Sequence, residues 1–337
     1  MHQRAWRHPR ETLEIFGHGA VLDALEREWR AGMLHHGLML AGPKGIGKAT
    51  FAYALARRLL TGLDGLAADD PDNRIVRQIR AGSHPDLLAL DADEGETVNR
   101  LIPVDDVRRL VAFFGKTAAS SVAGGGCRVG IIDRADDLNT ASANALLKIL
   151  EEPPRRSILI LVCEAPGRLP ATVRSRCRQV SLDPLEESDL ARAVCAAGGR
   201  LAERIEGELE AWVAGSALRA LMLGDKSVAD ALREAGALLA ALPGIDQARL
   251  GRLAQRLGAR DNRDAYNAAF DLMSLHMAQR ARAAAFSGAA SPHAANWANA
   301  IGRVEETKSQ ADALNLDRSR TLLAAFHRLA LELRAAH

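Results

Sequence analysis

Nine consecutive residues carry the clearest chemistry in this chain: Gly42-Pro43-Lys44-Gly45-Ile46-Gly47-Lys48-Ala49-Thr50. They match the frame G-x-x-x-x-G-K at Gly42, Gly47 and Lys48, with a short apolar run before and a helix-like stretch, Thr50 to Leu60, after. Glycines such as Gly42, Gly45 and Gly47 let a backbone close into a nest whose N–H groups converge on phosphate oxygens. The helix behind the nest brings its positive end to the same anion. Lys48 would then reach the β and γ phosphates of a nucleotide. The next position normally offers a Ser or Thr hydroxyl to magnesium, and here it is Ala49. Thr50 lies one residue further, about 100° around the helix, and is no direct substitute. The loop suits ATP or ADP, with its magnesium contact impaired. A glycine-rich turn without a ligand is the competing reading.

A second acidic position follows an apolar run, Arg128-Val129-Gly130-Ile131-Ile132-Asp133. In phosphate-loop proteins such an aspartate holds magnesium directly or through water. The residue after it is Arg134, which cannot accept a proton. Asp136 and Asp137 read as surface or capping acids in the turn beyond. No Ser-His-Asp or paired-carboxylate constellation is present. His35-His36 lacks companion ligands and reads as an ordinary helix-end pair.

The elements that must position these residues can be read from apolar patterning. Five short apolar runs, Gly37–Ala41, Leu87–Leu90, Val129–Ile132, Ile158–Val162 and Gln179–Leu182, are separated by helix-like segments. That alternation predicts a parallel five-stranded sheet covered on both faces, an α/β core over residues 1–183. Part of Leu63–Pro85 should be an exposed loop around Asp69-Asp70-Pro71-Asp72. Pro184 and Glu186-Glu187-Ser188-Asp189 open a small helical unit over 184–225, with acids near the positive helix end. Residues 226–337 show no strand pattern. They are rich in Ala, Leu and Arg, punctuated by Leu242-Pro243-Gly244 and Ser287-Gly288, and read as an all-α bundle.

Composition narrows the classes. At 337 residues the chain suits two or three domains. A net charge of +2 leaves no strong whole-protein attraction to DNA or membranes, so any nucleic-acid contact must be local. Aromatic residues at 4 % argue against a stacking platform for single strands. The four cysteines, Cys127, Cys163, Cys177 and Cys195, show neither C-x-x-C pairing nor a spacing with His that suits zinc. They read as reduced thiols of a cytoplasmic protein. No run approaches the ~20 apolar residues that span a bilayer.

The segment Asn139-Thr140-Ala141-Ser142-Ala143-Asn144-Ala145-Leu146-Leu147-Lys148-Ile149-Leu150-Glu151-Glu152-Pro153-Pro154 resembles the ANALLK-LEEPP stretch of bacterial clamp-loader subunits, a family of AAA+ proteins. Leu169-Pro170-Ala171-Thr172-Val173-Arg174-Ser175-Arg176-Cys177 is similar to the Ser-Arg-Cys motif of the same family. His84-Pro85-Asp86-Leu87 and Ile102-Pro103-Val104-Asp105-Asp106-Val107-Arg108 also fit it, so the resemblance covers roughly residues 8 to 225.

The resemblance implies an AAA+ core, a helical lid (184–225) and an oligomerising collar (226–337). It implies gamma/tau and delta subunits as partners, the sliding clamp and primed DNA reached through the complex, and no membrane. It assigns Arg176 to the ATP site of a neighbouring subunit; the competing reading caps a strand turn or pairs with a nearby acid. Arg174 and Arg178 read as surface residues. Arg219, in a Gly-Ser…Arg segment like that of the lid, is a nucleotide contact or a surface helix arginine. Cys163, where active members carry a polar γ-phosphate sensor, reads as core packing. Ala49 and Arg134 favour the delta-prime type over the hydrolysing gamma/tau type, and so does the absence of a four-cysteine module after the phosphate loop. A catalytic gamma/tau-like ATPase and an unrelated phosphate-loop phosphotransferase are the alternatives.

Overall fold

A computed structural model describes residues 6–63, 65–90, 102–115, 126–202, 205, 207–286 and 292–334. Its strands are β1 (Gly37–Ala41), β2 (Leu87–Leu90), β3 (Arg128–Ile132), β4 (Ser157–Cys163) and β5 (Arg178–Ser181). All pair in parallel, in the order β2-β3-β4-β1-β5. The expected strands are all present: β1 and β2 have the expected ends, and β3, β4 and β5 differ by one residue at one or both ends. The helices in chain order are α1 (Gly19–Arg30), α2 (Lys48–Leu60), α3 (Gly65–Asp69), α4 (Arg74–Arg80), α5 (Val104–Phe114), α6 (Thr140–Glu151), α7 (Ala171–Arg174), α8 (Glu187–Ala196), α9 (Glu208–Val213), α10 (Ala217–Leu223), α11 (Lys226–Ala240), α12 (Gln247–Gly258), α13 (Arg263–Phe286), α14 (Pro292–Ala313) and α15 (Arg318–Arg334). The expected break at Ser287-Gly288 lies outside the described residues. No described helix is long and apolar enough to cross a membrane.

Strand alternation divides the core into two layers. Leu38, Leu40, Val129, Ile131, Ile158, Ile160 and Val162 face one side, with α1 and α2. Met39, Ile132, Leu159, Leu161 and Cys163 face the other, with α5, α6 and α7. Gly130 has no room for a side chain, because a Cβ there would lie 2.7 Å from the Phe114 ring. The sequence pattern predicts an amphipathic helix after the phosphate loop, yet α2 buries Phe51 through Ala56 together with Leu59 and Leu60. It is covered on its outer side as well. Arg57, fully buried, donates to the carbonyls of Thr12 (3.3 Å), Leu13 (2.7 Å) and Ala68 (3.2 Å), drawing the N-terminal segment and α3 onto it.

The motif segments hold this core together. Asn139 caps α6 by accepting from the Ser142 N–H at 2.8 Å, and the buried Ser142 hydroxyl donates to the Ile102 carbonyl at 2.7 Å. Pro153 and Pro154 follow the helix where it cannot continue. Asp86, fully buried, sits 3.6 Å from the Arg128 guanidinium, joining the starts of β2 and β3.

By contact density the chain forms two compact units, residues 1–201 with 215–218, and 202–214 with 219–337. The second has no strand among its described residues. Within it, α13 packs along α14, and Arg303 pairs with Glu332 (3.0 Å) between α14 and α15.

Burial holds His18, His36 and His84 of the first unit below their ordinary value near 6.5. His84 Nδ1 accepts the Asp86 N–H at 3.1 Å, which requires that nitrogen to be unprotonated. The unfolded chain therefore binds more protons than the folded one once pH falls below about 6.5, and stability must drop as pH drops. Thermal melts should show a lower midpoint at about pH 5.5 than at about pH 7.5; an unchanged or higher midpoint at the acid end would contradict this account.

Candidate functional site

The phosphate loop bridges the end of β1 and the start of α2. Gly45 (φ 78°) and Gly47 (φ 99°) occupy the left-handed region that favours glycine. Gly42 is required for a different reason: a Cβ there would meet the Leu182 carbonyl oxygen at 2.4 Å. At Gly45 a Cβ would meet Ser216 Oγ at 2.3 Å and Leu218 Cβ at 2.6 Å. The Leu218 N–H donates to the Gly45 carbonyl at 3.2 Å, so the 215–218 segment braces the loop from outside. Nothing lies within 4 Å of a Cβ at Gly47, where α2 begins. The loop thus has the curvature and the helix N-terminus of a phosphate cradle.

Lys48 is buried, and its ammonium donates to the carbonyls of Gly42 (2.8 Å) and Pro43 (2.6 Å). Burial lowers its pKa; Glu164, Asp133, Asp136 and Cys163 act in the opposite sense. The lysine is therefore held inside the loop, at the edge of the sheet where these acids gather. The residues fit a nucleotide's phosphates: a nest, a helix N-terminus and a buried cation. They do not fit the full metal-assisted arrangement, since the Ala49 side chain has no hydroxyl oxygen to offer. Among the described residues no group of three or more His, Cys, Asp or Glu is placed to hold a metal ion.

Asp133 follows the end of β3. Arg134 adopts φ 58°, ψ 54°, a left-handed conformation uncommon for a residue with a side chain, and its guanidinium pairs with Asp137. No carboxylate stands in its place to orient a water. Asp136 proves to be more than the surface or capping acid expected. It is half-buried and ties the turn after β3 to the end of β4, accepting from the N–H groups of Glu164 (2.7 Å) and Ala165 (2.8 Å). Cys163 Sγ lies 3.1 Å from the same carboxylate, so this buried thiol packs and also donates. Burial, the Asp136 hydrogen bond and its charge push the thiol up to about 12.

His18, ahead of α1, escaped the sequence reading. It is buried, with Nε2 3.2 Å from the Ile46 carbonyl and its ring edge-on to Phe51. The sequence signal is only a histidine between two glycines, which no motif template captures. A cavity of about 540 Å³ is lined by residues that include Arg7, Leu13, Phe16, Arg80, Arg192 and Cys195.

Arg176 lies at the other edge of the sheet. It stands two residues before β5, an edge strand paired only with β1, and its carbonyl oxygen would be 3.3 Å from a Cβ at Gly37, the first residue of β1. Its guanidinium pairs with Glu151 at 3.0 Å and donates to the Thr172 carbonyl at 3.0 Å. The phosphate loop leaves the last residue of β1. Five residues of strand at about 3.3 Å each therefore keep the two sites on the order of 15 Å apart. Arg178 pairs with Glu28 of α1, and Arg174 donates to the Pro166 carbonyl at 3.3 Å. In the helical unit, Arg219 donates to the Trp212 carbonyl at 2.7 Å and lies 5.4 Å from the centre of the Trp212 ring.

A parallel sheet in this order, with a glycine-rich phosphate-loop motif after β1 and an aspartate closing β3, defines an α/β phosphate-loop core. The family model described as "DNA polymerase III, delta subunit" matches residues 17–186, half of the chain, and the chain belongs to that family. Among relatives, the DNA polymerase III subunit delta' of Pseudomonas aeruginosa is 39 % identical over 144 residues, covering 43 % of this chain and 42 % of the relative. The subunit delta' of Escherichia coli is 35 % identical over 165 residues, covering 49 % and 47 %. The subunit tau of Escherichia coli is 34 % identical over 185 residues, covering 54 % and 27 %. In each case the matched stretch spans less than half of the relative's own length.

The geometry around Ala49 and Arg134 predicts negligible turnover by the isolated chain. Phosphoryl transfer depends almost entirely on positioning and electrostatic stabilisation, and both the metal hydroxyl and the water-orienting carboxylate are missing. Phosphate release from ATP should stay far below ~1 per second for the pure chain. A rate at or above that level would restore the gamma/tau-like alternative.

Proposed function

We propose that this chain is a delta-prime-type subunit of the DNA polymerase III clamp loader. It joins gamma/tau and delta subunits, assists ATP-dependent loading of the sliding clamp on primed DNA, and supplies Arg176 in trans to a neighbour's nucleotide. The observation that carries this reading is the placement of Arg176 at the opposite edge of the sheet from the chain's own phosphate loop. An arginine there cannot serve Lys48 of the same chain, whereas edge strand β5 offers it to whatever packs alongside. A planar guanidinium suits that task, because it neutralises charge on a transferred phosphoryl group through a bidentate fork.

Relatives of both delta' and tau name match the chain, so the choice between them rests on residues. Ala49 and Arg134 weigh against hydrolysis, while Gly42, Gly45, Gly47 and Lys48 keep the phosphate cradle. ATP or ADP binding without turnover is the function we assign to the loop, with Thr50 and Asp133 beside it. A nucleotide contact by Arg219 belongs to the same proposal and would require it to give up its Trp212 contacts. The three-part division into core (1–183), lid (184–225) and collar (226–337) is also part of the proposal. The strand-free helical packing of α11 to α15 supports an assembly role for the collar, since it presents no chemistry of its own.

The test is Arg176→Ala in a complex reconstituted with gamma/tau and delta, assayed for steady-state ATPase with clamp and primed DNA. Complex assembly should be unchanged. The bulk rate should fall only in part, because an arginine in trans is worth about 10³ to 10⁵ at one site and the other sites keep theirs. Arg176→Lys should not rescue, since a point charge lacks the fork. Wild-type rates from the alanine variant would remove Arg176 from catalysis and leave the chain as a scaffold.

A further inference from the structure

One carboxylate at the phosphate-loop edge has no structural task. Asp136 commits its oxygens to Cys163 and to the N–H groups of Glu164 and Ala165, which fixes the backbone where β4 ends. The strand register pairs Cys163 with Ala41, so Glu164 leaves β4 beside Gly42, the first residue of the loop. Its N–H is tethered, but the side chain is exposed and its carboxylate enters no hydrogen bond or ion pair with another described residue. Lys48 is drawn the other way, onto the carbonyls of Gly42 and Pro43. Among the charges that act on the buried ammonium, Glu164 is the strongest, ahead of Asp133 and Asp136.

This arrangement treats two and three phosphates differently. A terminal phosphate carries about −1.5 to −2 charges at neutral pH. Magnesium ordinarily offsets that charge, and Ala49 withholds one of its ligands. A third phosphate at this edge would face the Glu164 carboxylate, and like charges brought close oppose one another. A diphosphate ends one group earlier and leaves the carboxylate to water.

We propose that Glu164 makes the phosphate loop of this chain selective for a nucleoside diphosphate over the corresponding triphosphate. The inference rests on the reading of Gly42 to Lys48 as a nucleotide-binding loop, and it adds a specificity determinant to that reading.

The test is calorimetric titration of the intact chain with ADP and with ATP, each with and without magnesium. ADP should bind about tenfold more tightly than ATP, a difference of ~1.4 kcal/mol, and the gap should widen without magnesium. Glu164→Gln, which keeps size and removes charge, should narrow the ratio to about threefold or less, chiefly by tightening ATP. Glu164→Ala should do the same, and melting curves of both variants check folding. Equal wild-type affinities, or a ratio that neither substitution moves, would overturn the proposal while leaving the loop a nucleotide site. If neither nucleotide binds the wild-type chain, the nucleotide reading itself fails and this inference falls with it.

Discussion

All five strands run in the same direction, and the placement of every functional residue in the first unit follows from that constraint. In a parallel sheet all carboxyl ends share one edge, so the turns that leave β1, β3 and β4 gather there. Those turns bring together the phosphate loop, Asp133, Arg134, Asp136 and Glu164. The segment entering β5 must lie at the opposite edge, and it carries Arg176. A chain built this way can hold phosphate at one edge and offer a guanidinium at the other without the two meeting. The in-trans role proposed for Arg176 requires that polarity.

The phosphate-loop edge keeps the architecture of a phosphate cradle while altering the chemistry around it. The nest, the start of α2 and the buried lysine are intact, and the 215–218 segment braces the loop through the Gly45 carbonyl. What differs is the distribution of charge and oxygen. A methyl group stands where a hydroxyl would meet magnesium, and an arginine in a left-handed backbone conformation stands where a carboxylate would hold water. The acid that does the structural work, Asp136, joins the β3 turn to the end of β4 and so secures the shape of the edge. The interactions that shape the loop persist at an edge where position 49 carries no hydroxyl and position 134 no carboxylate.

The Arg176 edge shows a related economy. Its guanidinium is held by Glu151, at the end of the helix that carries the ANALLK-LEEPP resemblance, and by the Thr172 carbonyl of α7. Two motif segments that are distant in sequence thus meet in one ion pair. Both partners are substantially exposed, so the pair contributes little to stability. It orients the arginine without committing it, since an exposed pair can be exchanged for a stronger anion at small cost.

Much of this was legible in the sequence, for identifiable reasons. The five strands were readable because buried parallel strands are short apolar runs, and the phosphate loop because glycine spacing and a following lysine have few other uses. Ala49 and Arg134 stood out as departures from that frame. The burial of α2 on all sides was not legible, because its outer cover comes from residues 9–13 and α3, brought in by Arg57 through backbone carbonyls that carry no side-chain signature. His18 against Ile46, Asp136 across to the end of β4, and Arg176 against Glu151 are likewise contacts between segments 25 to 29 residues apart. Local sequence thus determined which residue types were present and which elements they would form. Only the packed sheet decided which of them share an edge, because strand order and direction, not spacing along the chain, set the distance between side chains.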